Sequence, residues 1–320
     1  PAERKAEGGR QRAKGLSINA VIRNMLTRKN TNETHVETSL IDRFRYPKYG
    51  PGQLWDAAAQ QVRHLGGTIL TGHRVTAINI DSRRHVHSVT VIDRDGCQHD
   101  IPCDYVLSSM PLCDLVPDLR GIDIPADILA YATALPYRDF VTVGLLVDSL
   151  TIHTRNGKPI PDTWIYIQDK GVHLGRMQIF NNWSPYLVPT QGIWLGLEYF
   201  CNQGDELWTM SDDESIYMAV NELHRIGIID THAVIRDSIR IRIPKAYPAY
   251  HGTYAQMPYI RDFLDSIGGL YCIGRNGQHR YNNMDHSMLT AIAAVNAIQG
   301  NASPKNIWNV NTDDSYHEQR

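Results

Sequence analysis

The sequence lacks an excess of charge of either sign. Its 320 residues include 32 Lys and Arg against 34 Asp and Glu, so the formal net charge is only −2. A chain this close to neutral has little electrostatic attraction for nucleic acid, and we expect no nucleic-acid partner. With 42% hydrophobic and 21% charged residues, the composition is that of a globular protein with a buried core. Its length predicts about two domains.

Long apolar runs are also missing. The longest uninterrupted stretches, such as Val143–Val147, fall far short of the roughly 20 residues that a membrane-spanning helix needs. Residues 1–15 are polar and basic and form neither a secretory signal nor a transit sequence. We therefore expect no transmembrane segment and a cytoplasmic location.

Recognisable metal and nucleophile motifs are absent too. The five cysteines form no Cys-x-x-Cys pair, so we expect reduced thiols and no metal. His279 and His286, with Asp285, do not have the spacing of a metal motif, and ligand contact or helix capping is the better interpretation. No Ser-His-Asp order, paired-carboxylate signature or nucleophile elbow stands out, so hydrolysis has no support and no catalytic side chain is assigned.

The first informative segment begins at Phe44. Its turn-forming residues precede a helix whose apolar positions recur at helical spacing as far as Leu65, and Gly66-Gly67 supplies the stop. Gly50 and Gly52 fit either close backbone approach to a ligand or only a tight turn. Short β-rich runs follow, which together predict half of an α/β domain with a β-meander. These runs are Thr68–Leu70, Val75–Ile80, Val86–Ile92 and Asp104–Ser108, with Asp95-Gly96 as a hairpin turn.

From about Leu119 to Tyr254 the pattern changes to longer strands, which predicts a second domain rich in β-sheet. A helix is predicted over residues 212–226, with Ser211 as its N-cap and Gly227 as its C-cap. The alternation of Arg and Ile in Ile235–Ile243 predicts a strand with one buried and one solvated face. Loop aromatics at 183–186 and 247–254 are candidates for a substrate wall, whereas strand aromatics favour the core. The other strands are predicted at Phe140–Val147, Thr163–Ile167 and Ile193–Phe200.

The end of the chain returns to the first pattern. A buried strand at Gly269–Gly274 precedes a polar loop, and a helix is predicted over Met288–Ile298. A strand, a Gly-containing loop and a helix N-terminus together make a place for a negatively charged or electron-rich ligand group. The alternative is a solvated loop in which Asp285 only caps the helix.

Leu270–Ile298 resembles the C-terminal flavin-contacting segment of the FAD-dependent amine oxidase and protoporphyrinogen oxidase superfamily. Among its branches the segment looks most like UDP-galactopyranose mutase and its relatives, which share a Gly-Arg, a Tyr and an Asn-x-Asp-His-Ser. Other stretches also resemble the superfamily. The matching residues are Gly274, Arg275, Tyr281, Asn283, Asp285, His286 and Ser287, and the other stretches are Phe44–Val62, Asp104–Pro111, Asn181–Pro189 and Gly196–Phe200.

The resemblance implies an α/β (α+β) fold, with part of a Rossmann-like FAD-binding domain of the GR2 type and an inserted, mostly antiparallel β substrate domain. It implies FAD as cofactor and a small-molecule substrate. Gly274 and Arg275 would lie against the ribityl chain and ring, and the helix starting near Asp285 would point its amides at the pyrimidine end. Cofactor contacts are expected at Gly50, Gly52, Ser109, Pro111, Gly274, Arg275, Asn283, Met284, Asp285 and Ser287, and substrate contacts at Tyr247, Tyr250, Arg280 and Tyr281.

One departure from the superfamily concerns its N-terminal βαβ unit. The Gly-x-Gly-x-x-Gly that holds the FAD pyrophosphate does not occur in this sequence, and the first residue is Pro1, so we expect a fragment. The expected order is a lead-in helix and linker (1–43), part of the FAD domain (44–118), the substrate domain (119–255), the C-terminal part of the FAD domain (256–300) and a tail (301–320).

The reaction implied by the resemblance is hydride transfer from substrate to flavin N5, as in FAD-dependent oxidoreductases. Two alternatives stay open at this point. One is a mutase that uses reduced FAD with no net redox change and holds a diphosphate on Arg or Tyr donors, for which Arg176 is also available. The other is a truncated homologue that serves as a binding module without catalysis.

Overall fold

The computed structural model describes residues 46–188 and 191–311. The expected lead-in helix at Ser17–Met25, and the rest of segment 1–43, lie outside the described residues. Within the described part, helices and strands alternate in the mixed pattern of an α/β fold. The helices are α1 (Gly52–His64), α2 (Leu112–Leu115), α3 (Ala126–Thr133), α4 (Phe180–Trp183), α5 (Glu206–Thr209), α6 (Asp212–Arg225), α7 (Met257–Asp265), α8 (Gly274–Gly277) and α9 (Met284–Ile298).

Three sheets organise the described chain. One has four strands in the order β3-β2-β1-β5, one has five antiparallel strands in the order β10-β6-β9-β8-β7, and one pairs β11 with β4 in parallel. The strands are β1 (Arg74–Ile80), β2 (Val86–Ile92), β3 (Gln98–Pro102), β4 (Val106–Ser108), β5 (Leu119–Arg120), β6 (Tyr137–Val147), β7 (Trp164–Tyr166), β8 (Arg176–Ile179), β9 (Ile193–Cys201), β10 (Ile235–Pro248) and β11 (Leu270–Cys272).

Two hydrophobic cores lie behind these sheets. The first joins the β-meander to α2, α3, α7 and β11, and it includes Ile78, Leu115 and Ile260. The second lies on one face of the five-stranded sheet and is covered by α6, with Val143 and Leu197 at its centre. The stretch from Leu119 to Leu135 packs in the first core, although the expected substrate domain begins at residue 119. The domain boundaries themselves stay a prediction.

Several predicted elements are confirmed. The helix after Gly52 ends at His64, and Gly66 follows it with a positive φ of 88°, as a C-terminal glycine does. The helix α6 has Ser211 as its N-cap in a full capping box, and Gly227 follows it with a φ of 70°. The polar turn at Asp95-Gly96 joins β2 to β3 as a hairpin.

The strand predicted at Thr68–Leu70 is wrong. All three residues are exposed coil, because no strand among the described residues lies beside them to complete a hydrogen-bond ladder. The last helix also begins one turn earlier than predicted, at Met284 instead of Met288, so Met284 and the polar residues 285–287 form its first turn.

The Arg and Ile alternation in β10 does not separate a buried isoleucine face from a solvated arginine face. Arg240 is buried on the α6 side, where its guanidinium donates to the carbonyls of Leu207 and Trp208 at 2.9 and 3.0 Å. Ile239 and Ile241 lie on the other face and are 51% and 46% exposed. Hydrogen bonds to the carbonyl groups of the short helix α5 thus stabilise a buried arginine at a position where a hydrophobic residue is expected.

Candidate functional site

The polar loop after β11 meets the end of β4. The two strands are parallel, so their carboxyl ends, Cys272 and Ser108, lie at one edge. Gly277 approaches this edge so closely that a Cβ there would lie 2.5 Å from the Ser108 carbonyl oxygen. Ser109 is exposed beyond the strand, and its Cβ is 3.7 Å from where a Gly274 Cβ would lie. Gly274 and Ser109 are therefore neighbours.

The same loop is tied to the N-terminus of α9. Gly274 has a φ of 74°, a left-handed conformation that favours glycine, and its N–H donates to the Thr290 hydroxyl of α9 at 2.8 Å. The first turn of α9 carries Asn283, Met284 and Asp285 on the exposed surface. We call Ser109, Gly274 and this first turn the loop–helix junction. Peptide N–H groups and the positive end of the helix dipole are available there to an electron-rich group.

Pro111 supports this junction from the β4 side. It precedes α2 with an extended ψ of 136°, and its carbonyl oxygen accepts the N–H groups of Asp114 and Leu115 at 2.9 Å each. Ser287 has a comparable role within α9, since its carbonyl accepts the Thr290 hydroxyl at 2.7 Å. Both residues thus hold backbone around the junction.

Arg275 lies beside two stacked tyrosine rings. Its Nε donates to the Asn282 carbonyl at 2.8 Å and its Nη1 to the Ala246 carbonyl at 3.1 Å. The guanidinium carbon is 4.7 Å from the Tyr281 ring centre and 5.5 Å from that of Tyr247, and the two rings are stacked at 5.7 Å. The predicted cofactor residue Arg275 and the predicted substrate residues Tyr247 and Tyr281 are therefore brought together.

Tyr247 leads to a group of residues, of which the sequence named only Tyr247 and Arg176 as site candidates. The Tyr247 hydroxyl accepts a hydrogen bond from Nη2 of Arg176 at 3.0 Å, and Arg176 in turn forms an ion pair with Glu198. Gln178 donates to the other Glu198 oxygen at 2.6 Å. We call Arg176, Gln178, Glu198 and Tyr247, with the rings of Trp164 and Phe200, the Arg176 cluster. Its members share the face of the five-stranded sheet opposite the second core.

A signal for these residues is present in the sequence. Arg176 and Gln178 alternate with Met177 and Ile179 in β8, and Glu198 lies between Leu197 and Tyr199 in β9. Polar residues at alternate positions of two otherwise apolar strands point to one shared polar face. Only the pairing of the strands brings these side chains to adjacent positions, and pairing is not visible in the separate segments.

The segment that contains Gly50 and Gly52 lies against the same region of the sheet. The Tyr46 ring stacks on Trp183 at 5.1 Å, and Trp183 lies 6.3 Å from Trp164 of the Arg176 cluster. Gly50 is buried with a φ of 86°, and a Cβ there would approach Leu187 to 3.2 Å. At Gly52 a Cβ would meet nothing within 4 Å. The protein therefore requires glycine at 50 and leaves open space at 52.

Tyr250 and Arg280 lie in a different place from Tyr247. The Tyr250 hydroxyl accepts the backbone N–H of Tyr281, and its ring is 4.6 Å from Tyr254. Arg280 donates through Nη1 to the Tyr254 hydroxyl at 3.1 Å. It also lines a cavity of about 450 Å³ together with Trp308 and residues of α7. The four predicted substrate residues thus divide into two pairs: Tyr247 belongs to the Arg176 cluster with Tyr281 stacked on it, and Tyr250 and Arg280 lie beside Tyr254.

His279 is a buried structural residue. It has a φ of 45°, its Nε2 is 3.1 Å from the Ala249 carbonyl, and the Tyr137 ring packs against it edge-on at 4.7 Å. Burial lowers the pKa of His279 to about 4, although the Ala249 hydrogen bond opposes this shift. His286 instead lies in the first turn of α9, with Nδ1 3.4 Å from the Asn283 backbone nitrogen. Across residues 46–188 and 191–311, no three His, Cys, Asp or Glu side chains are grouped to hold a metal.

The helices of the described ranges are all too short or too polar to cross a membrane.

Comparison with known proteins gives a family match. A family model described as flavin containing amine oxidoreductase matches residues 24–298. The search of curated proteins found no match to this chain.

Two solved structures are similar in fold. A reduced UDP-galactopyranose mutase aligns with a TM-score of 0.68 and 22% identity, covering 84% of this chain and 57% of its own. A structure described as a protoporphyrinogen oxidase from Exiguobacterium sp. 255-15 aligns with a TM-score of 0.56 and 17% identity, covering 78% of this chain and 51% of its own. This chain therefore spans just over half the length of each, and the likeness shows the expected α/β fold class.

Proposed function

Because the chain belongs to the flavin containing amine oxidoreductase family, we propose that it carries the flavin-ring end of the cofactor site and the substrate surface of an FAD-dependent oxidoreductase. The observation that carries this proposal is the loop–helix junction, where the exposed first turn of α9 lies beside Gly274 and Ser109. Arg275 follows directly in the chain and adds a positive charge.

The donor set of the junction fits an isoalloxazine ring. Its pyrimidine end is electron-rich, and it accepts hydrogen bonds of the kind that the α9 peptide groups and Arg275 can donate. The sequence has no Gly-x-Gly-x-x-Gly for the pyrophosphate, so the residues of this chain account only for the ring end.

The proposed reaction assigns roles to this chain's residues. When bound, the flavin would accept a hydride from the substrate at N5. The α9 dipole would favour negative charge at the pyrimidine end, and Arg275, fixed by two carbonyls, would orient the ring. Tyr247 and the rings of the Arg176 cluster would face the substrate and exclude water from it.

Two alternatives have tests of their own. The fold likeness to a reduced UDP-galactopyranose mutase, with Arg176 and Tyr247 as donors, supports a mutase. Formation of UDP-galactofuranose from UDP-galactopyranose by the reduced protein is its test, and its absence would count against that branch. The other alternative is a binding module without catalysis, which predicts a folded protein that ignores added FAD.

The decisive experiment compares flavin binding by Arg275→Ala and Asp285→Ala with that of the unchanged protein. The chain is expressed both as given and with any coding sequence directly upstream. We expect each variant to lose at least tenfold in FAD affinity, because Arg275 contributes charge and Asp285 shapes the α9 terminus. The visible absorption spectrum and a titration with FAD measure the effect.

The matched control is Arg261→Ala, because Arg261 is exposed on α7, where it makes a 4.0 Å contact with Asp262. It should bind FAD as the unchanged protein does. Thermal melts by circular dichroism separate lost binding from lost folding, which matters for Arg275 because it holds two backbone carbonyls. Unchanged flavin content in folded Arg275→Ala and Asp285→Ala proteins would contradict the assignment.

A further inference from the structure

Arg176 is held by a carboxylate on the substrate side of the sheet. It lies directly opposite Glu198 across β8 and β9, and only 11% and 4% of their side chains are exposed. Nε and Nη2 of Arg176 both contact Oε2 of Glu198, and Gln178 donates a hydrogen bond to Oε1 of the same carboxylate. The carboxylate is therefore fully committed to partners inside the protein.

This pairing cancels the charge that Arg176 would otherwise present. Burial alone would lower the pKa of Arg176, but the charge of Glu198 and then Tyr247 raise it above its ordinary value. The guanidinium thus stays protonated, and the negative charge of Glu198, which is in contact with it, neutralises its positive charge. An incoming phosphate would have to compete with a carboxylate already in place, which is unfavourable in a poorly solvated position.

Three other cations of this region contact uncharged groups of the protein. Arg275 donates to two backbone carbonyls, and the proposed function assigns it to the flavin. Arg138 pairs with Tyr247 in the strand register, and its Nη1 lies 3.4 Å from Oδ1 of Asn202. Lys48 lies over the Tyr186 ring at 4.1 Å. These contacts are to uncharged groups, so they commit donors of Arg275 and Arg138 within the protein but leave the positive charges in place. Arg176, which donates to the Tyr247 hydroxyl, is the cation whose charge a carboxylate neutralises at contact distance.

Aromatic rings make up the rest of the Arg176 cluster. The Arg176 guanidinium lies 4.2 Å from the Trp164 ring centre and 5.4 Å from that of Phe200. Trp164 and Tyr166 are both exposed, and their rings are parallel within 4°. Exposed parallel rings around a neutralised ion pair suit a ring-bearing group without net charge.

We propose that Glu198 is a specificity-determining residue that neutralises Arg176, so that the site selects an uncharged, ring-bearing substrate and rejects phosphorylated ones. This inference rests on the proposed function, because it concerns the substrate of the same enzyme. It runs against the mutase alternative, which requires a bound diphosphate.

The first test compares two probes that share one ring and differ in charge. Uridine and UDP are titrated into the full chain by calorimetry at low and high salt. We expect UDP to bind no more tightly than uridine at either salt concentration. Binding of UDP at least tenfold tighter than uridine, with an affinity that falls as salt is added, would overturn the proposal.

The second test removes the neutralising carboxylate. In Glu198→Gln the charge of Arg176 is no longer compensated, so UDP affinity should rise at least tenfold and become salt-dependent, while uridine affinity stays the same. The double variant Glu198→Gln/Arg176→Gln should lose this gain. The control Glu206→Gln makes the same change in net charge at an exposed residue of α5 and should leave UDP binding unchanged.

A folded Glu198→Gln protein without a gain in UDP affinity would also overturn the proposal. Circular dichroism checks the fold, and if this variant does not fold, the comparison of uridine with UDP on the unchanged protein still decides. Neither titration requires flavin. Failure of the proposed function would appear as absent FAD binding, whereas failure of this inference would appear as tight, salt-sensitive binding of UDP.

Discussion

At the scale of single residues, Gly274, Arg275 and Glu198 show what a sequence can reveal about a site. Gly274 and Arg275 were predictable because they follow a buried strand within one short polar segment, and the structure places them beside α9 and Tyr247. Glu198 was not, because its partners Arg176 and Gln178 are 22 and 20 residues away and only strand pairing brings them together. Local motifs are visible in a sequence, whereas cross-strand ion pairs are not.

His279 makes the stability of the fold depend on pH. Its pKa is about 4 in the folded protein and about 6.5 in an unfolded chain. Above pH ~6.5 both states are neutral, and as the pH falls toward 4 only the unfolded state takes up the proton. We expect a loss on the order of 3 kcal/mol in the free energy of unfolding across this range. Urea denaturation at several pH values measures it.

The variant His279→Asn isolates this contribution. Asparagine tolerates the left-handed backbone at this position and does not titrate, so the variant should be less sensitive to pH between 6.5 and 4 by the same amount. Equal pH dependence in the variant and the unchanged protein would show that another group is responsible.

At the scale of elements, the sequence predicted best where the signal is local. The helix α6 was predicted with its N-cap and its C-terminal glycine, since both depend on residues within the same segment. The strand at Thr68–Leu70 was wrong because a strand also needs a neighbour. In β10 the alternation alone did not show that Arg240 is buried, because α5 carbonyls bind it. Elements that depend on partners distant in sequence are the ones that composition does not predict.

The capping box of α6 should make a measurable contribution to stability. The Ser211 hydroxyl accepts the Glu214 N–H at 3.2 Å, and Glu214 accepts the Ser211 N–H at 2.8 Å. Ser211→Ala removes the first of these bonds and should lower the free energy of unfolding by about 1 kcal/mol. Chemical denaturation followed by circular dichroism measures the difference. Ser82→Ala, at an exposed turn residue, is the control and should cost nothing comparable.

At the scale of the whole molecule, the described part has well-packed cores beside uncovered apolar helix faces. The helix α1 has no buried residue, and α9 exposes Leu289, Ile292 and Val295. Exposed apolar area of this kind promotes self-association and binds hydrophobic dyes. The helical spacing of the apolar residues predicts that they share one face of each helix, but not whether that face is covered.

Replacing part of the α9 face should change the behaviour of the whole chain. Ile292→Lys puts a charge where the side chain is 56% exposed, so we expect weaker binding of a hydrophobic dye and less self-association, with stability changed by no more than about 0.5 kcal/mol. Dye fluorescence and analytical ultracentrifugation measure both. Tyr217→Lys, at an exposed position on α6, should leave dye binding unchanged. Equal effects of the two variants would contradict a specific role for the α9 face.

The contact between Lys48 and Ser184 has a consequence for the order of folding. The Ser184 hydroxyl donates to the Lys48 carbonyl across 136 positions of the chain, and Tyr46 and Trp183 stack beside it. Closing so long a loop costs chain entropy before any contact offsets it, so such contacts form late and slow folding. We expect the five-stranded sheet to form first and the Gly50 segment to join it afterwards.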